Sequence, residues 1–475
     1  MSQAATAKLV TGDRVTLEPR VARILGSIVF ISLLGLIAFT AIPYGTAHAW
    51  WKALFVAIVF ALTIIWLIEG FLSNSWIADG WPVVLPVLTL AFFSLLQTLP
   101  TGKRSGSLAS INYSPWNTIS ADPYQTRFFV LQLLGLTLTG IFLFRYASTQ
   151  RRLRILMNVV IGVAVASAIF GILRQTMQHG TAFGLPFTSA EMGYGQFINR
   201  NHFAFLMEMG FGLSLGMILG GVKRDKALIY FAALLPLWTA LVVCGSRGGL
   251  VAMLAQVIVA VLLFGLVMRT GKGDEPSSKV IKLARSLPVR LILLLVLVLG
   301  ILFGTLWLGG DRLAARLEDS RNEFGGDSTD RLGVKRQDVW RTTLRMFAAH
   351  PILGVGMNGY WIAVPTYHNA SGTMTPQEAH NDYLELLASG GIVGFAIGIW
   401  FAAQVFRATR ENLRSPNRFR RAACFGAAIG IAGVAVHSLV DFGLHMIINA
   451  LVFTTLIVIA TSTPQCESKL ATDHD

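Results

Sequence analysis

The stretch 380-HNDYLELLASGGIVGF-395 marks where a long polar excursion, Leu308 to Gly394, re-enters an apolar segment. Outside that excursion the chain reads as apolar runs joined by short connectors. Twelve runs reach or approach the roughly 18 residues that let a helix cross ~30 Å of hydrocarbon. They are Val21 to Ile42, Trp50 to Ile68, Trp81 to Leu99, Arg127 to Phe144, Ile155 to Leu173, His202 to Gly221, Ala227 to Cys244, Gly248 to Met268, Val289 to Leu308, Asp382 to Phe406, Ala422 to Val440 and Phe442 to Thr461. The 475 residues are 54% hydrophobic and 13% charged, where soluble domains carry about 25% charged residues. Together with a mean hydropathy of +0.60, this excludes an ordinary soluble domain. A lipid-exposed backbone must satisfy its own hydrogen bonds. The expected fold is therefore an all-α polytopic membrane protein of about 12 transmembrane helices, with a large loop between helices 9 and 10.

The net charge of +14 fits loop charges that orient the chain in a membrane and does not call for nucleic acid. Arg145, Arg151, Arg152 and Arg154 follow the fourth run, Lys223, Arg224 and Lys226 the sixth, and Arg269, Lys272 and Lys279 the eighth. Arg407, Arg410, Arg414, Arg418, Arg420 and Arg421 follow the tenth. Even-numbered loops thus lie inside, and the long odd-numbered ones outside. In a bacterial inner membrane the outer side is the periplasm. The expected division is a cytoplasmic tail over 1–23, helices 1–9 over 24–308, a large periplasmic loop with short helices over 309–381, helices 10–12 over 382–461, and a second cytoplasmic tail over 462–475. Ala47-His48-Ala49 resembles a signal-peptidase site, but Ile24 to Ile42 exceeds the usual ~7 to 15 residue apolar region, so the first helix reads as uncleaved. Cys244, Cys424 and Cys466 are scattered, without disulfide or zinc spacing.

Within the large loop, Asp330 to Ala348 has helical periodicity. At ~100° per residue, Arg336, Trp340, Leu344 and Phe347 fall on one stripe, which turns Arg336 towards the protein. A guanidinium held there needs an anion, either an internal carboxylate or a substrate phosphate. The glycines of HPILGVGMNGYW, Gly354, Gly356 and Gly359, suit tight turns better than a phosphate cradle. Thr375-Pro376-Gln377-Glu378 has capping-box spacing, so a helix is expected to begin there, carrying His380 on the side of Leu384 and Leu387. An imidazole at that boundary can accept a proton near neutral pH. By the same topology Arg247 of CGSRGG, Arg200 and Asn201 of GQFINRNHFAF, and His437 and Asp441 arrive at the same membrane face. Ionisable residues at such depth are candidates for function. Jointly they describe an anion-binding, histidine-bearing site.

With HPILGVG and HNDYLELLASGGIVGF flanking a loop, Arg336 four residues before Trp340, and NRNHFAF, SRGGL, SADPYQT and VHSLVDF elsewhere, most of the chain resembles the O-antigen ligase and Wzy-type polymerase superfamily. These are bacterial inner-membrane glycosyltransferases of the GT-C class. The resemblance implies a donor glycan on undecaprenyl diphosphate, and an acceptor hydroxyl on lipid A-core for a ligase or on the next lipid-linked glycan for a polymerase. It implies neither a cofactor nor a metal ion. His380 would be the general base, Arg336 and Arg247 would hold the diphosphate with Arg200 beside them, and Asp441, His437 and Asn201 would support them. A flippase of the same lipid-linked glycan is the expectation from another class; it would show inverted repeats and charges along a path through the membrane.

Overall fold

The computed structural model describes residues 3–76, 80–100, 116–178, 185, 193–220, 224–269, 336–368 and 376–462. The expected ninth run, Val289 to Leu308, lies outside the described residues, as does the segment from Asp330 to Lys335. The described chain is helical: α1 (Gln3–Ala41), α2 (Ala49–Ser73), α3 (Trp81–Leu96), α4 (Pro123–Tyr146), α5 (Gln150–Met177), α6 (Arg200–Leu219), α7 (Arg224–Cys244) and α8 (Arg247–Arg269) come first. After the undescribed stretch follow α9 (Arg336–Ala349), α10 (Tyr360–Tyr367), α11 (Asp382–Asn412), α12 (Arg418–His437), a 3-10 turn (Gly443–His445) and α13 (Ile447–Thr461). Nine of these helices contain a stretch long and apolar enough to cross a membrane, and α3 and α13 are shorter apolar helices. Eleven of the twelve expected runs are therefore present as helices, and the protein is a multi-pass membrane protein.

Small residues set the centre of the bundle. On α6, Gly212, Gly216 and Gly220 recur every fourth residue; on α12, Ala422, Gly426 and Gly430 do the same. The two stripes meet antiparallel, so close that a Cβ on Gly216 would stand 2.1 Å from the Gly426 Cα and one on Gly212 would stand 2.5 Å from the Gly430 nitrogen. Where lipid offers no hydrophobic drive between helices, such backbone approach supplies the packing. Its consequence for the site is geometric: the first turn of α6 and the last turn of α12 are locked together at one end.

At the opposite end, two of the basic loops expected to share a side meet, those after the fourth and tenth runs. Asn417 Nδ2 donates to Gln150 Oε1 at 3.2 Å, Arg420 donates to the Ser148 carbonyl, and the Arg154 guanidinium lies 4.7 Å from the Phe419 ring centre.

The motifs HPILGVG and SGGIVG are explained by docking. Val355 N donates to the Ala388 carbonyl and Gly356 N to the Ser389 carbonyl, both at 3.0 Å, while Ile392 N donates to the Pro351 carbonyl at 2.8 Å. The two segments zip together backbone to backbone across a kink in α11 at Gly391, whose φ of 62° lies in the left-handed region. Gln97 crosslinks them, donating to the Leu353 carbonyl at 2.6 Å and accepting from Met357 N at 3.0 Å. SADPYQT joins the same joint: Ala121 N donates to the Val355 carbonyl at 2.8 Å and Thr126 Oγ1 to the Met357 carbonyl at 2.7 Å. These glycines serve close backbone approach, as their turn-like spacing suggested.

Two local expectations are corrected. The helix that carries the re-entry begins at Asp382, not near Thr375, because Asn381 takes the capping role and accepts from the nitrogens of Tyr383 and Leu384. Glu378 is drawn instead towards His445. On α9 the buried stripe is Val339, Thr342, Thr343 and Met346, and Leu344 is exposed. The hydroxyls of Thr343 and Tyr360 bond at 2.7 Å, and Thr342 meets His368 at 3.2 Å, so the face turned to the protein is rotated by about 100° from the expected stripe and carries two threonines with hydroxyl and imidazole partners.

Candidate active site at the shared helix ends

Asp441 is the hub. Its side chain is 1% exposed, in the turn that follows α12. Asn201 Nδ2, from the first turn of α6, donates to one carboxylate oxygen. The other accepts from Phe442 N at 2.9 Å and faces two imidazoles, His380 Nδ1 at 3.8 Å and His202 Nε2 at 3.9 Å. Burial alone would raise the Asp441 carboxyl; His380 first, then His202 and His437, outweigh it and hold it below the usual carboxylate range. The group is therefore an anion about which histidines are arranged.

His380 is not on a helix. It sits just before the Asn381 cap with φ of 50°, in the left-handed region that few non-glycine residues occupy. Backbone held in such a conformation collects at functional sites. Two contacts fix this position: Trp340 Nε1 of α9 donates to the Ala379 carbonyl at 3.1 Å, and Ala379 N donates to Glu385 Oε2 at 2.9 Å. The His380 ring leans edge-on against Phe442, with ring centres 4.9 Å apart, and remains 29% exposed. With Nδ1 turned to Asp441, Nε2 is the nitrogen left for a substrate.

Arg200, the first residue of α6, and Arg247, the first of α8, are half-buried. Arg247 is tied to the hub through its neighbour, since a Cβ on Gly248 would lie 2.5 Å from the His437 ring and 3.0 Å from Val440. Arg336 opens α9, one turn before the tryptophan that grips Ala379, and is half-buried. It makes no hydrogen bond or ion pair among the described residues.

His437 lies deeper than expected. It is fully buried, its Nδ1 is 2.5 Å from Glu208 Oε1, and it stacks on Phe205 with ring centres 4.1 Å apart. It supports the floor of the site and does not open into it.

Sequence reading missed three residues. His202 was hidden inside NRNHFAF, where Arg200 and Asn201 drew the attention. His445 and Glu378 form a second polar group with Asp382 and Glu385: His445 Nδ1 is 3.5 Å from Glu378 Oε1, and its Nε2 is 3.7 Å from both Asp382 Oδ1 and Glu385 Oε1. Burial would lower His445, but Glu378, then Glu385 and Asp382, push it up to about 10. The one sequence signal for it was its spacing, four residues after Asp441.

Arginines beside a histidine held by a buried carboxylate can bind a phosphorylated substrate and remove a proton from it or its partner. No curated protein matches the chain. Residues 231–399 match the family model Wzy_C, described as O-antigen ligase. That segment holds Arg247, Arg336 and His380, while Asp441 and the first turn of α6 lie outside it. The expected resemblance to the O-antigen ligase and Wzy superfamily is thus borne out over residues 231–399, the segment that is similar to that family.

Proposed function

We propose that the protein is a membrane glycosyltransferase that moves a glycan from undecaprenyl diphosphate to a sugar hydroxyl of lipid A-core at the periplasmic face of a bacterial inner membrane. The observation that carries this reading is the Asp441 carboxylate facing His380 at 3.8 Å, at the end of the bundle where Arg200 and Arg247 begin their helices. The acceptor oxygen attacks the anomeric carbon and the bond from that carbon to the diphosphate oxygen breaks. Undecaprenyl diphosphate departs with the electron pair, and His380 Nε2 takes the hydroxyl proton. Asp441 orients the imidazole and stabilises the imidazolium that forms. Arg247 and Arg336, with Arg200, hold the diphosphate and offset the charge that grows on the leaving oxygen. One in-line displacement inverts the anomeric configuration.

A Wzy-type polymerase would use the same groups with another acceptor. The test is a deletion strain complemented with wild type or His380→Ala, with lipid-linked and core-linked glycans extracted separately and resolved by gel. Polymer left on the polyprenyl lipid beside bare lipid A-core identifies a ligase. Single repeat units in place of a ladder identify a polymerase. Wild-type behaviour of His380→Ala removes His380 as the base in either case.

A further inference from the structure

Beside the site lies a cavity of about 180 Å³ whose walls no step of the transfer uses. It has room for several waters, or for one sugar ring in their place. Three of its polar walls come from one face of α11, where Asp382, Glu385 and Ser389 follow each other at helical spacing. Glu378, His445 and Lys52 close it, and Phe129 and Leu386 are among its apolar walls. Phe442 joins it to the catalytic group, touching His445 and His380 with ring centres 5.5 and 4.9 Å away. One wall is unsatisfied: Ser389 is 2% exposed, and its Oγ has no hydrogen-bond partner among the described residues. A buried hydroxyl without a partner costs stability unless something arrives to bond it.

We infer that this cavity receives a neutral sugar ring of the acceptor glycan and so presents its hydroxyl to His380. The inference rests on the glycosyl-transfer reading above. Sugar hydroxyls are donors, and the carboxyl oxygens of Glu378, Asp382 and Glu385 offer them acceptors, so the acceptor belongs with the acids and the leaving group with the arginines. Lys52 and His445 supply donors for the sugar oxygens, and the apolar walls suit its C–H faces. The same atoms could be read as a cation site, since Glu378, Glu385 and His445 offer ligand atoms within 4.8 Å of one another. Lys52 in the same wall argues against it, because its ammonium would compete with the ion.

The experiment measures transfer by full-length protein in proteoliposomes, varying purified lipid A-core and undecaprenyl-diphosphate-linked glycan separately. Glu378→Gln is expected to raise the acceptor KM about 10- to 100-fold, and Ser389→Ala about 3- to 10-fold, with the donor KM unmoved. Ser389→Ala removes an unpartnered hydroxyl, so it should fold at least as well as wild type. An unchanged acceptor KM in both variants, or a rise in the donor KM instead, overturns the inference. Stoichiometric Mn²⁺ binding in wild type that Glu378→Gln abolishes overturns it in favour of a cation. His380→Ala runs in parallel: its full activity would sink the reading of the site itself, whereas its loss beside unchanged pocket variants sinks only the acceptor pocket.

Discussion

Two buried carboxylates at opposite ends of the helix bundle, Glu69 and Asp441, are paired in opposite ways. At the basic end, Glu69 of α2 is closed off by Arg145 of α4: Nη2 reaches Oε1 at 2.8 Å and Oε2 at 2.6 Å, and Nε reaches Oε2 at 3.0 Å. Tyr146 donates to the same carboxylate at 2.8 Å, and Ser73 and Ser75 accept from Nη2 and Nη1 of the guanidinium at 3.2 Å. At the other end Asp441 faces two imidazoles at 3.8 and 3.9 Å, beyond hydrogen-bond length, and His380 Nδ1 and His202 Nε2 have no hydrogen-bond partner among the described residues. Charge that is fully paired fixes a fold, whereas charge left loosely paired beside a half-exposed histidine is available for chemistry.

Breaking each end separately sharpens the contrast. His380→Ala should lower turnover by about 10²- to 10⁴-fold with little change in unfolding temperature, measured by transfer in proteoliposomes and by thermal unfolding in detergent. Arg145→Met should do the reverse. Leaving Glu69 buried and unpaired costs about 3–5 kcal/mol of stability, while turnover per folded molecule stays near wild type. A large fall in turnover per folded molecule would mean that the basic end is not merely structural.

Arg336→Lys is expected to cost about 10-fold or more in turnover, since an ammonium cannot reproduce a bidentate contact to phosphate. Unchanged turnover would remove Arg336 from the site.

The smallest effect is a pH slope. His445 faces Glu378, Asp382, Glu385 and Lys52, and its folded-state pKa is raised to about 10 from the ordinary value of about 6.5. A raised pKa stabilises the fold fully below the unfolded value, and that stabilisation is lost as pH rises through the folded one. Unfolding temperature should therefore decline between pH about 6.5 and 10. His445→Gln should flatten that decline, and an equal slope in the variant would show that it arises elsewhere.

How much of this was legible in the sequence follows from the range of each signal. Spans depend on local composition, so the eleven that fall on described residues were readable, and loop charge brought the loops after the fourth and tenth runs to one end. The glycines of HPILGVG and SGGIVG announced turns, but which backbone they approach is a tertiary fact. Arg336 and Trp340 open α9 near Ala379, yet the two threonines of its buried face find hydroxyl and imidazole partners, a tertiary fact that periodicity does not carry, and so the buried stripe was misplaced. Asp441 was legible as an intramembrane acid near a turn. Its partners were not, because His202 and His380 lie far apart in sequence and are brought to Asp441 by tertiary packing, His202 through the glycine stripes of α6 and α12. Glu378 had a plausible local role as a helix cap, and that local reading masked its contact with His445, 67 positions away by numbering.

The mechanism proposed for this site is a single displacement with His380 as base at the end of the bundle that carries Arg247 and Asp441. The measurement that tests it most directly is the anomeric configuration of the newly formed linkage, determined by NMR on product made from a donor of known configuration. The expected result is inversion. Retention would require a second displacement through a glycosyl-enzyme intermediate and would contradict the role assigned to His380.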